Sequence, residues 1–158
     1  MGLPFIDANG HNMPKDRPPV MAGVTERVLT GHGKMYITIN FDNRGQPFEV
    51  FSTLGKAGGC DSAQLEAISR LTALALRSGV DPAQVVEQLR GITCCPIWDN
   101  GILVRSGPDA LAIALSRHLD NHVDVGDWRI IKCPECHGQT YYMEGCIKCM
   151  SCGWNRCE

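Results

Sequence analysis

The sequence carries almost no excess of either charge. Its formal net charge is −2, which gives no reason to expect long-range attraction to nucleic acid or to an acidic membrane. Long apolar runs are missing too. Stretches such as 37–40 (ITIN) and 71–76 (LTALAL) fall far short of a membrane span. The first 20 residues lack the basic and then apolar layout of a signal peptide. These absences predict a cytoplasmic protein with no membrane partner. In that compartment thiols stay reduced, and paired cysteines mean metal binding or redox work more often than structural disulfides. Catalytic signatures are scarce as well. No Ser/His/Asp arrangement and no pair of catalytic carboxylates can be defended. The GxxxxGK[ST] phosphate loop is absent. Residues 55–59 (GKAGG) read as a flexible strand-to-helix connection, with Lys56 a candidate anion contact at a helix start. His118 and His122 lack an obvious third ligand and read as a solvated helix end.

What is present is a globular composition, 44% hydrophobic and 20% charged. The length of 158 residues suits one ordinary domain with a small appendage. Residues 1–19 hold Pro4, Pro14, Pro18 and Pro19 among polar residues and read as a flexible leader or linker. Three strands are predicted at 24–30, 34–41 and 47–54. In the second, Met35, Ile37, Ile39 and Phe41 alternate with Tyr36, Thr38 and Asn40. The short joins 31–33 (GHG) and 42–45 (DNRG) imply an antiparallel meander, whose apolar face must be covered.

Helices are predicted to supply the cover. Asp61 is expected to cap the first, with Gln64 as its capping-box partner. Leu65, Ile68, Leu71, Thr72 and Ala75 share one helical face, and Gly79 ends the helix. Asp81-Pro82 opens a second helix with Val85, Val86 and Leu89 inward. A loop with Cys94, Cys95, Pro96 and Trp98 and a short extended piece (101–106) follow. Pro108 opens a third helix, with Leu111, Leu115 and Leu119, or Ala112, Leu115 and Leu119, inward. The expected fold is α+β: a small antiparallel β-meander packed with about three helices over 20–122. A cysteine-rich tail occupies 123–158.

Nine cysteines is a high count for a reduced protein of this size. Cys60, Cys94 and Cys95 lie in the body. The vicinal pair Cys94-Cys95 reads as ordinary buried thiols, because a disulfide between neighbours is strained. The other six fall within 133–158. Cys133-Pro-Glu-Cys136 and Cys149-Met-Ser-Cys152 are two CxxC units separated by 12 residues. Each such turn aims two thiolates at one point, and two turns complete a tetrahedron, so the spacing predicts a four-cysteine zinc ribbon. Gly138 and Gly153 follow the two units and tolerate the tight backbone needed. Cys146 with Cys149 could instead supply the second pair. In the preferred frame Cys146 and Cys157 are left over. They read either as a dithiol–disulfide couple or as inert thiols. From 123 onward the tail carries five acids and four bases, not the basic face that a nucleic-acid ribbon needs.

Residues 17–80 (RPPVMAGVTERVLTGHGKMYITINFDNRGQPFEVFSTLGKAGGCDSAQLEAISRLTALALRSGV), followed by 85–94 (VVEQLRGITC), resemble the TSCPD domain. That domain forms the C-terminal region of many adenosylcobalamin-dependent (class II) ribonucleotide reductases. The tail 133–157 resembles the cysteine-rich end that follows it there. The family's Thr-Ser-Cys-Pro-Asp stretch corresponds to Arg105-Ser106-Gly107-Pro108-Asp109, so the motif cysteine is missing and no role of that thiol carries over. The resemblance implies a C-terminal module, either a fragment or a separately encoded piece, that works with a catalytic domain or subunit. Adenosylcobalamin and the radical chemistry would belong to that partner, and zinc to the tail. The resemblance also implies a tail dithiol, Cys146 and Cys157, that re-reduces the active-site disulfide and is itself reduced by thioredoxin or glutaredoxin. Cys152 with Cys157 is a second possible pair, which would make the zinc set Cys133, Cys136, Cys146 and Cys149. The alternative expectation is a zinc-containing binding or assembly module for nucleotides or nucleic acid, without redox work.

Overall fold

The computed structural model describes residues 6–55, 59–119, 133–137, 140–143, 146–149 and 151–157. Alternating apolar residues build the first sheet. Strands β1 (Ala22–Thr30), β2 (Gly33–Phe41) and β3 (Pro47–Leu54) pair antiparallel in the order β1-β2-β3. A two-residue turn, Gly31-His32, joins β1 to β2, because Thr30 pairs with Gly33. One face of the sheet presents Val28, Met35, Ile37, Ile39, Val50 and Leu54, all buried. The opposite face is mostly open, with Tyr36 and Phe51 exposed and the Thr25 and Thr38 hydroxyls 2.8 Å apart.

Helix α1 (Cys60–Arg77) packs on β3, and α2 (Pro82–Leu89) packs on α3 (Gly107–Ser116). Leu111 and Leu115 of α3 are fully buried, as expected, and its alanines are buried around them. A helix apolar on all sides belongs in an interior. On α1 the buried positions are Leu65, Ser69, Thr72 and Leu76, while Leu71 is 67% exposed. The inward face is therefore turned from the one periodicity predicted. Ser69 explains part of the shift: its hydroxyl lies 2.6 Å from that of Ser52 on β3, so a polar pair occupies a contact position. The capping expectation for α1 also fails. Gly59 is the N-cap and no side chain caps it; Asp61 sits within the first turn, where its charge still suits the helix dipole. Asp81 does cap α2, accepting from the Ala83 amide at 3.0 Å.

The loop expected around Trp98 is a hairpin instead. Strands β4 (Ile97–Asp99) and β5 (Ile102–Val104) pair across Asn100-Gly101, both with positive φ (48° and 80°). Asn-Gly is the commonest sequence for that two-residue turn. Asp99 then accepts from the Leu29 amide at 2.9 Å, tying the hairpin to β1.

The segment read as a leader makes defined contacts over its described part. Arg17 donates to both carboxylate oxygens of buried Glu49, at 2.9 and 3.0 Å, and Asn40 donates to the same group at 2.7 Å. The Lys15 amide donates to the Arg77 carbonyl at 3.0 Å. No helix among the described residues is long and apolar enough to cross a membrane. In the tail, β6 (Thr140–Met143), β7 (Cys146–Cys149) and β8 (Asn155–Cys157) form a second three-stranded antiparallel sheet in that order.

Candidate functional site

The structure brings Cys133, Cys136, Cys149 and Cys152 together, the set that the spacing predicted. Their sulfurs all lie within 4.8 Å of one another. The Sγ atoms of Cys133 and Cys152 are 3.4 Å apart, and those of Cys136 and Cys149 are 3.5 Å apart. Four thiolates at about 2.3 Å from one zinc would stand about 3.8 Å apart, so a small outward adjustment makes the cage.

The backbone explains the convergence. In each CxxC unit the first cysteine's carbonyl accepts from the amide four residues on. His137 donates to Cys133 at 2.9 Å, and Gly153 donates to Cys149 at 3.0 Å. Both donors have positive φ, 56° at His137 and 79° at Gly153. The glycine expectation therefore holds for the second unit. In the first, the left-handed residue is His137, and Gly138 lies outside the described residues.

The four sulfurs do not share protons equally. The Cys152 amide donates to the Cys149 sulfur and, with the Ser151 amide and neighbouring thiols, pulls it down to about 6 against the opposing effect of burial. At Cys152 the Trp154 amide favours the thiolate, but hydrogen bonding with the Cys133 thiol, burial, and the Cys136 and Cys149 thiols outweigh it and push the group up to about 12. A cation in the cage would remove this competition, because a coordinating thiol is deprotonated outright. Four cysteine sulfurs in this arrangement could hold a metal ion, and the donor set is compatible with zinc.

Cys146 and Cys157 occupy the first register position shared by β7 and β8, directly opposite each other. Opposed residues of an antiparallel pair have Cα atoms about 4.5–5.5 Å apart. That separation is within the range a disulfide spans.

The body holds a second group of chemically capable side chains, which the sequence did not expose. His32, Cys94 and Cys95 place one ligand atom each within 4.8 Å of the others. His32 lies in the turn read only as a strand connection. Cys94 and Cys95 are exposed, not buried as expected. Desolvation nevertheless raises the Cys94 thiol, against the opposing Cys95 amide.

The loop is held by the 105–109 stretch. Asp109, completely buried, accepts from Arg90 at 2.8 Å and from the Gly91 and Arg105 amides at 2.9 Å each. Ser106 caps α3, accepting from the Asp109 amide at 3.1 Å, and donates to the Ile92 carbonyl at 2.5 Å. Burial pulls the Arg90 guanidinium down, and Asp109 beside it opposes that shift. Gly107 stands where the motif cysteine would be and packs on Leu65: a Cβ there would lie 2.7 Å from a Leu65 methyl.

His118 is half-buried and meets Glu26 at 2.7 Å, with Arg117 on the same carboxylate. It is therefore part of an ion-pair cluster rather than a solvated end. Lys56 and His122 lie outside the described residues.

No curated protein and no solved structure matches the chain. A profile of the TSCPD domain matches residues 11–119. That span takes in the meander, all three helices, the 105–109 stretch and part of the segment read as a leader. The chain belongs to the TSCPD domain family.

Proposed function

We propose that this protein is the C-terminal module of an adenosylcobalamin-dependent ribonucleotide reductase. Its tail would bind zinc through Cys133, Cys136, Cys149 and Cys152 and carry electrons on Cys146 and Cys157. The observation that carries the reading is the division of the tail cysteines: four gather in one cluster, and two others oppose each other across β7 and β8. Family membership supports the reductase context, since TSCPD domains are associated with ribonucleotide reductases.

The chemistry is thiol–disulfide exchange. One tail thiolate attacks a sulfur of the oxidised active-site disulfide and forms a mixed disulfide, releasing the first active-site thiolate. The second tail thiolate then attacks its neighbour's sulfur, closing the Cys146–Cys157 disulfide and releasing the second active-site thiolate. Two electrons pass from tail to active site, and the released thiolates take up the two protons. Thioredoxin or glutaredoxin returns the tail to the dithiol. Zinc would hold the ribbon's shape without taking part in the exchange. The radical chemistry on the ribonucleotide, with its cobalamin, belongs to the catalytic domain or subunit with which this module would work.

Thiol labelling and mass spectrometry of the zinc-loaded chain, before and after thioredoxin, test the reading. The expected result is one Cys146–Cys157 disulfide that thioredoxin opens while the tail zinc stays bound. Cys146→Ser and Cys157→Ser chains should keep the tail zinc and fail to support turnover with thioredoxin in the complete enzyme. A tail that forms no such disulfide, or normal turnover in both variants, defeats the redox assignment.

A further inference from the structure

Three ties fix the shape of the 91–95 loop before any ligand arrives. Buried Asp109 accepts from the Gly91 amide, Ser106 donates to the Ile92 carbonyl, and the Cys94 amide donates to the Arg105 carbonyl at 3.0 Å. The β1–β2 turn is seated directly on this loop. A Cβ at Gly31 would lie 2.3 Å from the Cys95 carbonyl oxygen and 2.4 Å from its Cβ, so the contact requires glycine. Both backbones are thus set without the three ligand side chains, and together they bring His32 to the vicinal thiols.

The separations suit a metal. His32 Nε2 lies 3.5 Å from Cys94 Sγ. A nitrogen at 2.0–2.1 Å and a sulfur at 2.3 Å from a tetrahedral zinc stand about 3.6 Å apart. The other ring nitrogen is already engaged: His32 Nδ1 lies 3.1 Å from Asp61 Oδ2, in the first turn of α1. A carboxylate on the far nitrogen sets the tautomer and ring orientation of a ligating histidine, leaving Nε2 free to coordinate. His32 and Cys94 also line a cleft of about 330 Å³, with Thr30, Asp61, Ser106 and Gly107 on its wall.

We propose that His32, Cys94 and Cys95 form a second metal site, distinct from the tail cluster, that takes a thiophilic divalent cation of the zinc class. Asp61 is the positioning residue for His32. Three protein ligands leave a fourth tetrahedral position, which water or a small exogenous ligand fills from the cleft side. Three ligands plus one open position is the pattern of metal sites that bind or activate a ligand, whereas closed four-ligand sites hold structure. By that criterion the two sites differ in kind: the tail cage is closed, and the body site is open.

The test uses the full reduced chain, stripped of metal and titrated with Zn2+ and with Co2+. Native mass spectrometry counts the ions, and the cobalt–thiolate absorption reports the ligands. Two ions per chain are expected. The Cys94→Ser/Cys95→Ser chain should lose one ion and keep the other, and the Cys133→Ser/Cys149→Ser chain should keep the ion that the first variant loses. Because Cys94 and Cys95 are exposed, the metal-free variant should melt at the temperature of the metal-free wild type, so a lost ion reports a lost ligand and not a damaged fold. Asp61→Asn should weaken the body ion 10–100-fold, as expected for loss of such an outer partner, with the tail ion unchanged. The inference is overturned if every ion bound by the wild type survives both the Cys94→Ser/Cys95→Ser and the His32→Ala substitutions.

Discussion

The body and the tail solve the same problem with different materials. In the body, Met35, Ile37, Ile39, Leu111 and Leu115 are fully buried between one sheet and three helices. In the tail, Cys133 and Cys149, two members of the thiol cluster, are buried. A segment of that length cannot bury enough apolar surface to offset its ordering entropy, and small units of this kind are usually held by a metal or disulfides. The comparison teaches that a core is defined by what gathers the chain: carbon surface excluded from water in one region, and in the other a thiol cluster that could hold a metal ion.

The largest expected effect comes from removing the metal that the tail cluster is proposed to hold. Structural zinc sites contribute about 10–16 kcal/mol, and that binding energy is folding energy. Removing metal with a chelator should therefore unfold the 133–157 ribbon and leave the body's cooperative melt in place. Amide hydrogen exchange resolves the two regions; loss of protection in both together would mean that the body depends on the metal as well.

A smaller effect tests the body alone. Asp109→Ala removes the carboxylate that Arg90, Gly91 and Arg105 share in the interior. Truncating one partner of a buried ion pair costs about 3–5 kcal/mol. Denaturant titration should show that loss, with the metal content of the tail cluster unaltered. A cost within experimental error would show that water replaces the carboxylate and that the pair is not a keystone.

The smallest effect sharpens the link between the α3 start and the loop it holds. Ser106→Ala removes an N-cap, worth about 1 kcal/mol, and frees the Ile92 carbonyl. A loss of about that size is expected in the same titration, together with faster exchange of the 91–95 amides. Unchanged exchange there would show that the Asp109–Gly91 and Arg105–Cys94 ties hold the loop without Ser106.

Much of this could be read from the chain. The alternation of Met35, Ile37 and Ile39 announced the buried face of β2, and the paired CxxC units announced which four cysteines converge. Pro82 after Asp81, and Pro108 after the capping Ser106, marked two helix starts. Asn100-Gly101 is a strong hairpin signal, and it explains why Trp98 sits on a strand. The face of α1 was misjudged at Leu71 because periodicity treats serine as polar, whereas Ser69 is buried against Ser52.

What the sequence determined by itself is local: strand alternation, helix starts and a thiol cage whose ligands lie in short turns. Those patterns follow from backbone geometry over a few residues, which neighbouring side chains dictate. What only the tertiary structure decided is long-range. Glu49 is buried because Arg17, 32 residues earlier, reaches it. His32 meets Cys94 across 62 residues because a glycine turn and a pinned loop pack together. No periodicity encodes such meetings, since they depend on where packed elements come to rest and not on the residues adjacent in the chain.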